Sequence, residues 1–199
     1  MENNLKYRDE VIFANETLPY QVMAISKRYA IVTRKIDKKE DEGLIRREVN
    51  NGDYDTFEEA FEANKNNTVY YLIDFVAETR APNDRVFNPY NYDSLESINQ
   101  CVTDLEAETV RLSERNSCKL EIKTIVPSGV LEKSSLNSSN VKKLFYFPLK
   151  RILEVAFKIG FYQYTNVPNE IWEQLCNAES IGSFIAKNLK GKFDTIKLK

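Results

Sequence analysis

The 199-residue chain contains no histidine. That gap removes the commonest general base near neutral pH, the Ser-His-Asp triad, the Cys-His pair and the usual zinc sites together. Glycine is scarce, at six residues, and neither GxxxxGKS/T nor GxGxxG occurs. The usual phosphate-cradling loops are therefore absent, and neither a nucleotide-binding enzyme nor a cofactor is expected. Three cysteines, Cys101, Cys118 and Cys176, stand far apart and outside any CxxC pair. They form neither a disulfide framework nor a zinc signature, and they read as buried thiols of a reducing compartment. No uncharged apolar stretch approaches the roughly 20 residues a membrane helix needs. The start, Met1-Glu2-Asn3-Asn4-Leu5-Lys6, has no apolar leader. A cytoplasmic protein with no membrane contact is the expectation.

What is present is an ordinary globular composition, 42% hydrophobic with 11 Tyr and 11 Phe, enough for one good core or two small ones. The net charge of −2 conceals an asymmetry. Lys and Arg number 18 against 25 Asp and Glu in residues 1–140, and 10 against 5 in residues 141–199, or −7 followed by +5. Clustered positive charge favours a polyanion or an acidic protein surface, and lysine-rich helix faces in solvent account for the same numbers.

The pattern predicts an α+β chain: a small antiparallel-type sheet with a covering helix, followed by a C-terminal bundle of three short helices. Residues 11–13, 20–26 and 29–34 read as strands, and the charged stretch 37–42 reads as exposed. Residues 44–49 suit a helical turn that ends at Asn50-Asn51-Gly52-Asp53. Thr56-Phe57-Glu58-Glu59 is spaced as a capping box for a short helix to about residue 64. TVYYLIDF, residues 68–75, is β-branched and aromatic and reads as a central strand. Ser94 then caps an amphipathic helix with Leu95, Ile98, Val102 and Leu105 at helical spacing. Residues 110–112 and 119–126 read as later strands. The first domain is placed at 1–126, a serine-rich linker at 127–140 and a helical module at 141–199. In that module Pro148 suits a first helical position, Leu149, Ile152, Leu153, Ala156 and Phe157 mark one face, and Gly160 suits the helix end. Pro168 opens a second helix and Ser180 a third.

Few residues carry chemistry. Asp104 or Glu106 followed by Glu121-Ile122-Lys123 resembles the acidic residue plus E-x-K arrangement of restriction-type nucleases, where two acids hold a metal and the lysine supports the attacking water. Asp74 suits a buried ion pair with Arg80 or Arg85. Tyr162 and Tyr164, with Trp172, stand between the basic residues Lys150, Arg151 and Lys158 and the group Lys187, Lys190 and Lys192. Interleaved aromatics and cations can hold single-stranded RNA by stacking and phosphate contacts, or form an interface hot spot.

The segments LPYQVMAISKRYAIVTRK, TVYYLIDFVAETRAPNDRVF and YDSLESINQCVTDLEAETVRLSERN, within residues 11–118, resemble a group of small uncharacterised proteins encoded by bacteriophages and mobile elements. The resemblance implies a compact sheet with one covering helix and transfers no functional residue. In size, acidity and lack of catalytic motifs the chain also resembles anti-CRISPR proteins in type. That resemblance implies a host-defence inhibitor, not an enzyme, working in the cytoplasm of a bacterial host. Its partner would be a host protein or ribonucleoprotein, such as a CRISPR effector or its guide RNA. It would block guide-RNA loading or target access, with Lys150, Arg151, Lys158, Tyr162, Tyr164, Trp172, Lys187 and Lys190 as the contacting residues.

Overall fold

The computed structural model describes residues 4–82, 117–134, 136 and 138–198. The described residues up to Val126 make one unit and those from Pro127 another, and each is taken by itself.

The first unit contains β1 (Glu10–Phe13), β2 (Tyr20–Ile25), β3 (Tyr29–Lys35), α1 (Glu42–Asn50), α2 (Phe57–Asn64), β4 (Thr68–Asp74), β5 (Thr79–Pro82), β6 (Cys118–Lys119) and β7 (Ile122–Val126). The strand order is β6-β5-β4-β3-β2-β1-β7. Residues Leu120 and Glu121 alone separate β6 from β7, yet these two strands lie at opposite ends of that order. One bent strand therefore pairs with β5 through its first part and with β1 through its second, and the sheet closes on itself. Two backbone bonds hold the bend, Leu120 N–H to Glu78 O at 2.8 Å and Ala14 N–H to Glu121 O at 2.8 Å. Closure is favourable because it pairs edges that would otherwise leave amides and carbonyls open. Alternation fills the interior: Val11, Phe13, Tyr20, Val22, Ala30, Val32, Ile73, Phe75 and the plug residue Leu120 form one core.

The threonine half of the capping box forms, with the Thr56 side chain accepting from Glu59 N–H at 3.2 Å, and TVYYLID lies between β3 and β5. The expected exposure of 37–42 is corrected at Asp41, which is buried because it is the counter-charge of Arg34. The helix expected after Ser94, Asp104, Glu106 and the strand 110–112 lie outside the described residues.

Asp74 is buried and pairs with Arg28, not with Arg80; Arg85 lies outside the described residues. Tyr29 sits opposite Asp74, which brings Arg28 alongside, whereas Arg80 sits opposite Ile73 on the other face. Arg28 reaches the carboxylate at 2.8 and 3.1 Å, and the amides of Val76 and Ala77 donate to it at 2.9 and 3.0 Å. Burial works against the Asp74 charge, but Arg28 and the two amides outweigh it and hold the carboxyl below its ordinary value. A depressed folded-state pKa means that the stabilisation is complete above the unfolded value of about 3.9 and is lost as pH falls through the folded one. Asp74→Asn should cost about 2 kcal/mol at pH 7, and the gap to the parent should narrow at pH 3. Urea unfolding at the two pH values measures it; a gap of equal size at both would show that ionised Asp74 adds no pH-dependent stability.

The second unit contains β8 (Leu131–Lys133), β9 (Val141–Phe147), β10 (Ile152–Phe157), β11 (Phe161–Tyr164), α3 (Asn169–Cys176), α4 (Ile181–Asn188) and β12 (Thr195–Lys197), with strand order β12-β11-β10-β9-β8. β8 lies within the stretch expected as a linker. Pro168 and Ser180 do open α3 and α4, with Ser180 accepting from Ser183 N–H at 3.4 Å. The three-helix bundle is not what forms, because the first expected helix is a pair of β-hairpins. Pro148 begins a hairpin turn closed by Lys150 N–H to Phe147 O at 3.1 Å and Arg151 N–H to Pro148 O at 3.3 Å. Gly160 sits in the next turn at φ +96°, and an added Cβ would lie 3.0 Å from Tyr162 Cε2, so both the backbone conformation and the neighbouring ring favour glycine there. The misreading has a physical cause. In β10 Leu153, Glu154 and Val155 are all buried, so the strand loses the alternation that marks a half-exposed sheet, and its apolar positions fall by coincidence at helical spacing.

The α+β class stands. The helices cover one face of this sheet, where Leu144, Tyr146, Leu153, Val155, Tyr164 and Val167 pack with Trp172, Leu175, Ile181, Ile185 and Leu189.

Candidate functional site

Two clusters of charged side chains stand out, one in each unit. In the barrel, Arg34 and Asp41 meet at 2.5 and 2.9 Å and Arg80 meets Glu16 at 2.5 Å. The guanidiniums lie over aromatic rings, Arg34 4.7 Å from the Tyr20 centroid and Arg80 4.0 Å from that of Phe13. Burial pushes the Tyr20 phenol well above its ordinary value. Three buried atoms, Glu16 Oε2, Tyr20 Oη and Arg34 Nε, have no hydrogen-bond partner among the described residues. Glu16 also stands 4.0 Å from Arg34, so the two arginines and two carboxylates balance within the cluster and no unbalanced charge is offered to a ligand. It locks the barrel end.

The second unit is different. The β9–β10 turn carries exposed Lys150 and Arg151, with Leu149 at its apex 97% exposed. Val167 N–H donates to Arg151 O at 2.8 Å, and Thr165 N–H donates to Asp194 O at 3.1 Å. These bonds bring the turn, the end of β11 and the segment after α4 to the same end of the sheet, and that segment carries exposed Lys190 and Lys192. The Tyr146 hydroxyl donates to Val167 O at 2.9 Å just beneath. Burial pushes its phenol up, Arg151 opposes this and Glu170 adds to it, which places both charges near that hydroxyl. Four cations thus share this end with two carboxylates, Glu170 and Asp194.

Arg151 holds φ +51°, a left-handed conformation that costs a residue with a side chain about 1 kcal/mol relative to glycine. The opposite end shows the contrast. Its turn has Gly160 in the positive-φ position, beside exposed Lys158 and Ile159.

The eight residues expected to act together are divided by this fold. Lys150 and Arg151 lie at one end of β10 and Lys158 at the other, about 20 Å apart at strand rise. A helix would have kept all three on one flank. Tyr164 and Trp172 are buried, with Trp172 stacked on Tyr146 at 5.3 Å and 13°, and Tyr162 is half-buried with its ring edge-on to Phe157 at 5.6 Å. None of the three is a free stacking platform. Lys187 is exposed on α4 and Lys190 just beyond it. Leu149 was missed as a site residue, because it was counted toward a helix core.

For the nuclease arrangement, Glu121 is exposed and paired with Lys119 at 3.0 Å, and Lys123 is exposed. No group of three or more potential metal ligands occurs among the described residues. No helix among them is long and apolar enough to cross a membrane.

Comparison with known proteins gives the second unit a family resemblance. Residues 137–193 match the KTSC domain family model, a span that includes the whole of the basic sheet end. An uncharacterised protein of Stutzerimonas stutzeri is 40% identical over 53 residues, 26% of this chain and 75% of that protein. The crystal structure of a KTSC domain protein from Yersinia pestis is 32% identical, covering 35% of this chain and 99% of that one, with a TM-score of 0.34. These findings overturn the phage resemblance and the anti-CRISPR identity drawn from it. The matched family is KTSC, its relatives here are bacterial, and the matched residues lie beyond the segments that suggested a phage group.

Proposed function

Through residues 137–193 the chain belongs to the KTSC domain family, and on that footing we propose that it is a binding protein, not an enzyme, whose KTSC unit meets an acidic protein surface with its basic sheet end. The observation that carries this reading is the placement of Lys150, Arg151, Lys190 and Lys192 at one end of the sheet. Charges at the rim of an interface act chiefly on association rate and salt dependence. The excess of positive charge in residues 141–199 favours a second reading, contact with RNA phosphates, although the buried Trp172 and Tyr164 leave it without the expected stacking groups.

Fluorescence anisotropy of the full chain with a labelled poly-glutamate peptide and with a single-stranded RNA of equal charge separates the two. Binding of the peptide at low salt should fall at least tenfold in a variant carrying K150E, R151E, K190E and K192E. No binding of the peptide would overturn the protein reading. RNA binding that is tighter and falls steeply with salt would replace it with the nucleic-acid reading.

A further inference from the structure

Single exposed leucines are ordinary on protein surfaces, but Leu149 differs in its setting. It is 97% exposed at the apex of a short turn whose backbone is held by bonds from Lys150 N–H and Arg151 N–H and by Val167 N–H on Arg151 O. Pro148 before it restricts the chain further. The side chain therefore has little backbone entropy left to lose on contact. Lys150 and Arg151 follow it directly, and Lys190 and Lys192 lie in the segment that reaches the same end of the sheet.

We infer that Leu149 is the apolar anchor of this surface, and that its occupant is an acidic amphipathic segment of another protein, with apolar side chains against Leu149 and carboxylates against the four cations. This rests on the binding reading above and adds the apolar half of the partner. Charge complementarity selects the class: four cations against the two carboxylates Glu170 and Asp194 leave an excess of positive charge that a neutral apolar segment would not meet, and a purely acidic one would leave Leu149 in water.

Two peptides of equal length and charge test it, one with leucine and one with glutamine between the glutamates. The full chain should bind the leucine peptide at least tenfold more tightly, and Leu149→Ser should erase that preference while leaving the glutamine peptide unchanged. Leu149 touches nothing that a serine would disturb, and circular dichroism of the variant verifies the fold. Equal affinity for the two peptides, or a preference that survives Leu149→Ser, would overturn the inference while the charge-based reading stands. Failure of both peptides to bind would remove that reading and this one with it. Leu149-dependent binding to phosphatidylserine vesicles without preference between the peptides would assign the tip to an anionic membrane surface and sink the proposal.

Discussion

Replacing Trp172 with alanine is expected to destabilise the KTSC unit by about 3 to 5 kcal/mol, the cost of removing a large buried aromatic from a packed core. Trp172 is 7% exposed and stacks at 5.3 Å on Tyr146. Tyr146 in turn carries the hydrogen bond to Val167 beneath the basic sheet end. Loss of the indole leaves a cavity between α3 and the sheet and frees the ring that supports Val167, whose amide holds the Arg151 carbonyl. Trp172→Phe should recover much of the stability. Chemical denaturation followed by circular dichroism measures both variants. A Trp172→Ala loss below about 1 kcal/mol would mean that the indole rests on the surface and that the Tyr146 stack is not a core contact.

The second large effect is expected in the barrel, where Asp41→Ala should cost about 3 to 5 kcal/mol by leaving Arg34 buried without its principal partner. The Arg34 and Asp41 side chains are 6% and 4% exposed. The nearest other carboxylate oxygen, on Glu16, stands 4.0 Å from Arg34. Asp41 also accepts from the Asp37 amide at 2.8 Å, so the variant opens the segment before α1 as well. Removing both charges, as in a variant carrying R34M and D41L, should cost less than Asp41→Ala alone, because a buried pair replaced by apolar groups loses its desolvation penalty along with its attraction. Thermal melts of the parent, Asp41→Ala, Arg34→Met and the double variant decide it. Should the double variant be as unstable as Asp41→Ala and Arg34→Met added together, the two residues act independently and the pair is not the lock described.

Where local chemistry chose the conformation, the sequence was legible. The strands of the β1–β4 region alternate or carry β-branched runs. The Thr56 cap and the helices opened by Pro168 and Ser180 announce themselves through single side chains. The stretch 148–160 was not legible, because a strand buried across consecutive residues has no period to detect. The apolar set Leu149, Ile152, Leu153, Ala156 and Phe157 then satisfies a helix template as well as a hairpin. That error propagated to the site. A helix gathers Lys150, Arg151 and Lys158, a hairpin separates them, and the aromatics expected to face a partner turn into the core.

By itself the sequence determined the absence of histidine chemistry and of the usual phosphate loops, the charge asymmetry between its parts, and the elements that local propensity decides. Tertiary structure alone decided that one bent strand closes the barrel, that Asp74 meets Arg28, and that residues from two separate segments supply the basic end of the KTSC sheet. Each of these depends on which strands pair and in what register. Which distant strands meet is decided by contacts between residues far apart in the chain, which no local pattern records.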